Sequence, residues 1–154
     1  MEDGFDFDAY LESGAAKLTG YCAAMVGPAD AEDAAQEAYV RLWKNLRKLP
    51  NEAAANSYLY KTAYRLCVDT LRARKRFREP ERPPDHDDRL SDGMANALGK
   101  LSPADRAVVW GRIVEEESYG EIAAKFGKTE AWARKRMSLV RKRLAAELGK
   151  EKNR

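Results

Sequence analysis

A run of basic side chains near the C-terminus offers the clearest chemistry in this sequence. Its members recur every three or four residues, so an α-helix would gather them into one strip along its surface. Closely spaced ammonium and guanidinium groups suit a long anionic ligand such as nucleic acid. The members of the strip are Arg134, Lys135, Ser138, Arg141 and Lys142.

The other side of the same segment is apolar. Ala133, Met137, Val140 and Leu144 recur at i, i+4, i+7 and i+11. This spacing predicts an amphipathic helix with one buried face. A basic run on such a helix is often only a solvated surface, and that alternative stays open for this segment taken alone.

The residues before this helix have the spacing of a helix-turn-helix unit. Ser118 and Glu121 form a capping box that opens a short helix, and Gly127 supplies the turn that ends it. Thr129 can cap the helix that follows. In such a unit the first residues of the second helix, here Glu130 to Lys135, lie at base edges in the DNA major groove. Glycine turns also occur in helical hairpins that bind nothing.

Length and composition limit the classes of protein that fit. The chain has 154 residues, of which 44% are hydrophobic and 34% are charged, enough for one ordinary core or two small ones. No stretch approaches the roughly 20 apolar residues of a membrane span. The N-terminus begins with acidic residues instead of the basic and apolar regions of a signal peptide. We therefore expect a cytoplasmic protein without membrane insertion.

Residues with catalytic or metal-binding potential are few. Cys22 and Cys67 sit among apolar or aromatic neighbours at helical spacing, which is typical of reduced core cysteines. His86 is the single histidine and has no second ligand type at metal spacing, which argues against a zinc site or a histidine dyad. The sequence contains no recognisable nucleophile–base pair or phosphate loop, so we predict no enzyme, no metal and no cofactor.

The net charge of +3 hides a segregated distribution. Acidic residues load the N-terminus, whereas residues 72–78 and 134–143 are concentrated basic blocks. Between the blocks, residues 79–93 hold prolines and carboxylates and little to bury, which is typical of an extended linker. We predict an all-α fold of two small helical domains joined by this Pro- and Asp-rich linker, the second domain containing the helix-turn-helix. The predicted bounds are 1–78, 79–97 for the linker, and 98–154.

The first domain divides into three main helices. The first ends near Gly27 and Pro28, where the chain cannot continue as a regular helix. The second runs from about residue 31 to residue 48, with Asp30 as its expected N-cap. The third runs from about residue 56 to residue 76.

Two stripes run along the second helix. Gln36, Val40 and Trp43 lie about 100° around the helix from the core stripe and need a cover of their own. Either a neighbouring helix covers them, or they form a surface for a partner protein, for which an exposed tryptophan is a good candidate. The core stripe is Ala35, Tyr39, Leu42 and Leu46.

The third helix interleaves aromatic and basic side chains, among them Tyr60, Tyr64, Arg65, Arg72 and Arg76. Such side chains can stack on bases and hold phosphates. Tyrosines four residues apart are also ordinary core material, so this alternative remains.

Three segments together resemble the extracytoplasmic-function sigma factors of bacterial RNA polymerase. "DAEDAAQEAYVRLW" (30–43) resembles their region 2.2, and "SYLYKTAYRLCVDTLRARKR" (57–76) resembles regions 2.3 and 2.4. "LSPADRAVVWGRIVEEESYGEIAAKFGKTEAWARKRMSLVRKRL" (101–144) resembles region 4. The resemblance implies a protein that joins core polymerase through the β′ clamp and β flap, recognises the −35 and −10 promoter elements and helps to open the duplex. It further implies an anti-sigma partner, and we expect a monomer.

The resemblance assigns candidate residues to three contacts. Those for the β′ clamp are Asp33, Gln36, Glu37, Val40, Arg41 and Trp43. Those for −10 DNA are Asn51, Asn56, Tyr58, Tyr60, Lys61, Tyr64, Arg65, Asp69, Arg72 and Arg76. Those for −35 DNA are Arg112, Tyr119, Glu121, Thr129, Glu130, Arg134, Lys135, Ser138, Arg141 and Lys142.

The loop before the third helix is a candidate pocket for a flipped base. Pro50 and Asn51 break the helix, small alanines leave room, and Asn56 and Tyr58 offer hydrogen bonds and an aromatic face. The matching loop in the family captures a base of the −10 non-template strand. The alternative is a simple connector whose asparagines are helix caps.

Three positions depart from the family pattern, so the resemblance does not transfer the promoter sequences. Arg65 stands where the family usually has asparagine, Trp132 where it has a small residue or threonine, and Leu139 where arginine is frequent. The rival interpretation is a stand-alone helix-turn-helix transcriptional regulator, which leaves the Val40–Trp43 stripe without a purpose. A structural adaptor with merely solvated basic faces is a further alternative.

Overall fold

The computed structural model describes residues 4–77 and 92–152, and all regular secondary structure in these ranges is helical, which confirms the all-α prediction. A 3-10 turn (Leu46–Lys48) follows α2, and a π-helical turn (Trp110–Val114) follows α5. Residues 78–91, with His86 and most of the predicted linker, lie outside the described residues. The helices are α1 (Phe7–Val26), α2 (Pro28–Asn45), α3 (Glu52–Arg76), α4 (Asp92–Gly99), α5 (Pro103–Val109), α6 (Tyr119–Phe126) and α7 (Glu130–Lys152).

The junction between α1 and α2 is a single glycine. Gly27 has φ +84°. It is the C-cap of α1 and also the N-cap of α2, whose first residue is Pro28. Proline suits this first helical position because its missing N–H would have no partner there. The expectation that Asp30 caps α2 is therefore wrong. Its carboxylate instead pairs with the guanidinium of Arg74 at the far end of α3.

Helix α3 begins four residues earlier than predicted. The side chain of Asn51 accepts a hydrogen bond from the backbone N–H of Ala54 at 2.9 Å and caps the helix. Alanines favour helix at the following positions, so Asn56 lies within the helix and not in the connecting loop.

Helices α1, α2 and α3 form the first helical unit, packed around one core. Leu18, Met25, Leu42 and Leu59 are fully buried between them. In the predicted core stripe of α2, Ala35, Tyr39 and Leu42 are buried and Leu46 is half-buried. Cys22 and Cys67 are free thiols in the same core, as the sequence predicts.

Helices α4 to α7 form the second helical unit and contain the predicted helix-turn-helix. The hydroxyl of Ser118 accepts from the N–H of Glu121 at 3.1 Å, and Thr129 caps α7 in the same way. Between these caps Gly127 has φ +66° and ends α6 in the left-handed conformation. Helix α4 begins at Asp92, within the range predicted as linker, and packs on α7.

The two units pack against each other, α1 against α5 and α3 against α6. The indole of Trp110 lies on α1 beside Gly20, where a Cβ atom would come within 2.6 Å of the ring. The ring of Phe126 contacts Tyr21 and Tyr64 of the first unit, with centroid distances of 6.3 and 5.5 Å. None of the described helices combines the length and apolar character required to cross a membrane.

Candidate docking face and nucleic-acid interface

The outer face of α2 is an open apolar surface. Trp43 is 60% exposed and Val40 is 44% exposed. The ring of Phe7 on α1 lies 4.9 Å from that of Trp43 and supports it from one side only. A groove of about 530 Å³ continues between α1 and α2 past Leu11 and Ala15. The described helices therefore do not cover this stripe.

All six residues predicted to contact the polymerase clamp are exposed and share helix α2. Glu37 and Arg41 form an ion pair at 3.1 Å across one turn, with both side chains about half exposed. Such a pair contributes only a few tenths of a kcal/mol to the helix, so its members are free to exchange partners. The stripe centred on Trp43, with Asp33, Gln36, Glu37, Val40 and Arg41, is called the docking face below.

Residues predicted to hold a flipped base lie on two sides of the start of α3. Asn56 and Tyr60 line a cavity of about 370 Å³. The hydroxyl of Tyr10 donates to the side-chain oxygen of Asn56 at 3.0 Å. Asn51 caps the helix, and the hydroxyl of Tyr58 accepts from Asn45 at 2.9 Å. The structure therefore brings Asn56 and Tyr60 together and leaves the other two outside this cavity.

The remaining −10 candidates follow α3 towards its C-terminus. Tyr60 is buried and Tyr64 is half-buried. Burial raises the pKa of Tyr60, and the nearby carboxylate of Glu117 raises it further. Both rings contact the second helical unit, Tyr60 through Lys125 and Tyr64 through Phe126. The exposed members of the set are Lys61, Arg65, Asp69, Arg72 and Arg76.

A cation–aromatic stack joins the predicted −35 residues of three elements. The guanidinium groups of Arg112 and Arg134 both lie over the ring of Tyr119 on α6, at 4.3 and 4.8 Å from the ring centroid. Arg134 also donates to Glu130 at 2.7 Å, one turn earlier on α7. The stack places Arg134 at the start of α7, as expected for a recognition helix.

The rest of the basic strip of α7 is open to solvent. Lys135, Ser138, Arg141 and Lys142 are exposed along α7. Arg136 differs, because its guanidinium turns inward and makes a forked pair with the buried carboxylate of Asp105 on α5. Arg136 is thus a structural residue within a basic block. The exposed set matches the predicted strip.

No cluster of three or more potential metal ligands occurs within residues 4–77 and 92–152. What the described surface offers is an apolar docking face on one unit and a basic helix-turn-helix on the other. This combination suits binding of a protein and of nucleic acid.

Two family descriptions match this chain. Sigma-70 region 2 matches residues 11–77, and Sigma-70 region 4 matches residues 92–144. The chain belongs to the sigma-70 family, in its extracytoplasmic-function branch. The first helical unit is therefore sigma region 2, and the second is sigma region 4.

Individual relatives agree with this assignment. The sigma factor SigG of Mycobacterium tuberculosis, described as an ECF RNA polymerase sigma factor in strains CDC 1551 and H37Rv, is 32% identical over 72 residues. That match covers 46% of this chain and 20% of the relative, so the chain spans about one fifth of the length of these curated relatives. The sigma factor RpoE of Bartonella quintana, solved in complex with the anti-sigma factor NepR, has the same fold, with a TM-score of 0.71 at 20% identity. The structural match covers 94% of this chain and 97% of the Bartonella quintana chain.

An ionic cluster at the contact between sigma regions 2 and 4 was missed by sequence reasoning. Glu117 and Lys125 of region 4 are only 3% and 6% exposed. The ammonium group of Lys125 donates to both carboxylate oxygens of Glu117, one of them at 2.6 Å. Lys17 of region 2 completes the cluster at 3.1 Å from Glu117. Burial lowers the pKa of Lys125, and the hydrogen bond with Glu117 opposes this shift.

The sequence carries only a partial signal for this cluster. Lys125 lies three residues after buried Ile122, on the inner side of a short amphipathic helix, where a lysine is out of place. Its partner Glu117 lies before the helix begins, and Lys17 is a hundred residues away, so no periodic pattern connects the three.

Proposed function

We propose that this chain binds core RNA polymerase and directs it to specific promoters. Region 2, taken as residues 1–78, docks on the polymerase and reads the −10 element, while region 4, taken as residues 98–154, reads the −35 element. Residues 79–97 join them. The protein acts in the cytoplasm. It acts as a monomer, because two parts of one chain read the two elements.

The observation that carries this proposal is the exposure of Trp43 on a unit separate from the helix-turn-helix. A large apolar side chain in water is unfavourable unless a partner covers it, and tryptophan is among the residues that contribute most to protein interfaces. A regulator that only binds operator DNA would use the basic face of α7 and would have no need of this stripe.

The proposed protein partners follow from the family. The β′ clamp of polymerase would cover the docking face of α2, and the β flap would contact region 4. An anti-sigma factor is a further proposed partner, since the Bartonella quintana sigma factor of the same fold was solved with one.

The docking face is tested by Gln36→Ala combined with Glu37→Lys. Both side chains are exposed, so the fold stays intact, while the charge at the centre of the face is reversed. We expect at least a tenfold loss of affinity for core polymerase, measured with purified components, and a matching loss of promoter-specific transcription. Trp43→Ala is a less clean test because Trp43 also packs on Phe7.

The matched control is Glu12→Lys, an exposed site on α1 that makes the same charge change outside the groove. It should bind polymerase as the parent does. Unchanged affinity of the double variant, with unchanged helical content, would contradict the docking assignment. A parent protein that binds duplex DNA tightly by itself but never polymerase would instead be a stand-alone regulator.

A further inference from the structure

We propose that a basic cavity between sigma regions 2 and 4 binds a nucleoside polyphosphate. The cavity has a volume of about 790 Å³, which lies within the range of small-molecule sites. Its lining comes from α3 of region 2 and from residues in or next to α4, α5 and α7 of region 4. The site is separate from the docking face on α2, and its ligand is a small molecule in addition to the proposed partners.

Cationic side chains converge on this cavity from four parts of the chain. Among the described residues that line it there is no carboxylate. Like charges brought close together repel one another, and a ligand with several negative charges removes that repulsion. Guanidinium groups are especially suited to phosphate, because they donate two parallel hydrogen bonds to its oxygens. The cations are Arg72, Arg74 and Lys75 on α3, Lys100 after α4, Arg106 on α5 and Arg143 on α7.

Three of these cations have neither an ion pair nor a hydrogen bond within the described part of the chain. Two others are engaged, since Arg74 pairs with Asp30 and Lys100 lies 2.8 Å from Glu147. Three cations match the charge of a diphosphate or triphosphate better than that of a single phosphate group, which carries about −1.5 to −2. The three cations without such a partner are Arg72, Lys75 and Arg143.

Two carboxylates close in sequence to the lining residues are already paired. Asp105 immediately precedes Arg106, but it is 5% exposed and accepts a forked pair from Arg136. Glu147 follows Arg143 by one helical turn and binds Lys100. Neither carboxylate lines the cavity. The described residues therefore leave an excess of positive charge facing this space.

The cavity also has an apolar wall. Leu101 is only 3% exposed, and Val68 and Leu71 are half-buried in the lining. On α3, Val68, Leu71, Arg72 and Lys75 recur at i, i+3, i+4 and i+7, so the apolar and basic groups share one face of the helix. Small-molecule sites combine apolar surface with a few placed polar groups in this way. A nucleoside can pack on the wall while its phosphates reach the cations.

The geometry favours a small ligand over the DNA backbone. Arg143 directly follows Lys142, so it lies about 100° around α7 from that member of the exposed basic strip. The strip runs along one helix, as contacts with successive phosphates require, whereas the cations of the cavity converge on one site. Arg72 is also a −10 candidate, so DNA binding at this place is the alternative that the experiment separates.

Isothermal titration calorimetry on the free full-length chain tests the site. The probes are ATP, GTP and inorganic tripolyphosphate, at about 0.15 M salt, where exposed charges are largely screened beyond about 8 Å. Magnesium is left out, so that the phosphates meet only the cations of the protein. We expect one ATP or GTP to bind per chain. Tripolyphosphate should bind at least threefold more weakly, because it has no nucleoside to pack on the apolar wall.

The test variant is Lys75→Ala combined with Arg143→Ala. Both side chains are exposed and belong to neither the −10 nor the −35 candidates, so the fold and the predicted DNA contacts are kept. We expect at least tenfold weaker binding of ATP. The matched control is Lys44→Ala combined with Arg47→Ala, which removes one lysine and one arginine from exposed sites outside the cavity. The control should bind ATP as the parent does.

A folded parent that binds neither ATP nor GTP would overturn the proposal, and so would an equal loss of affinity in the test and control variants. Equal affinity for tripolyphosphate and ATP would also overturn it, because the nucleoside would then contribute nothing. If the test variant lost affinity for single-stranded −10 DNA but kept that for ATP, the two cations would serve DNA and the proposal would be wrong. None of these titrations contains polymerase, so a failed polymerase assay would count against the proposed function alone.

Discussion

Single side chains on α7 divide into base-reading and phosphate-binding candidates by position. Arg134 lies at the start of the helix, held by Tyr119 and Glu130, whereas Arg141 lies two turns later and is exposed. A bidentate arginine–guanine contact carries about 1–3 kcal/mol of discrimination, while a phosphate contact weakens binding to all sequences alike. The structure thus gives the two arginines different surroundings within one basic strip.

Arg134→Ala should relax preference at one or two −35 base pairs. Arg141→Ala should keep the preference and reduce the slope of affinity against salt concentration by about one. Binding titrations on a set of −35 duplexes at several salt concentrations separate these outcomes. Parental preference and salt slope in both variants would mean that this face is only solvated.

At the scale of elements, the start of α3 carries two asparagines with different tasks. Asn51 caps the helix, whereas Asn56 is exposed and faces a cavity. Asn51→Ala should lower the free energy of unfolding by about 1 kcal/mol, and Asn51→Ser should restore it, because serine also caps. Asn56→Ala should leave stability nearly unchanged and alter selection of the −10 base, measured by transcription from a promoter library.

Parental −10 selection by Asn56→Ala would favour the connector interpretation of this segment. If Asn51→Ser changed selection of the −10 base while keeping full stability, the base pocket would instead lie in the loop before α3. The two asparagines therefore distinguish a structural from a recognition role within six residues of sequence.

Much of the element structure could be predicted because its signals are local. The caps Ser118 and Thr129 and the turn at Gly127 follow from residue type and spacing. The start of α2 was misplaced because Pro28 and Asp30 are both valid helix starters, and only the ion pair with Arg74 decides between them. The forked pair between Arg136 and Asp105 and the cluster of Lys17, Glu117 and Lys125 depend on contacts distant in sequence, which periodicity does not encode.

At the scale of the whole molecule, buried tyrosines make stability sensitive to alkaline pH. Burial raises the pKa of Tyr21 well above its ordinary value. The folded state therefore keeps this proton above pH about 10, where the unfolded chain releases it. The contribution of Tyr21 to the free energy of unfolding is fully present below the pKa that this tyrosine has in the unfolded chain. As the pH rises above that pKa, the contribution is lost by up to about 1.4 kcal/mol per pH unit.

Tyr21→Phe should remove the part of the decrease in unfolding free energy at alkaline pH that comes from Tyr21. The Tyr21 hydroxyl has no hydrogen-bond partner among the described residues, so stability at pH 7 should not fall. Denaturant unfolding of parent and variant between pH 7 and 11 measures the difference, and other titrating groups cancel in the comparison. Parallel pH profiles would show that Tyr21 does not carry the effect.

The two buried cysteines make thiol modification a measure of how often the core of region 2 opens. Cys22 and Cys67 are fully buried between α1 and α3, and their mutual hydrogen bond and burial raise the pKa of Cys67. Thiolate is the nucleophile that attacks a thiol reagent, and both sulfurs are buried, so neither reacts until the α1–α3 core separates. The rate of modification therefore follows the opening of the α1–α3 core. Any partner that slows the opening of this core will lengthen the time in which half of the thiols are modified. The native cysteines therefore measure the protection of region 2 without an added probe.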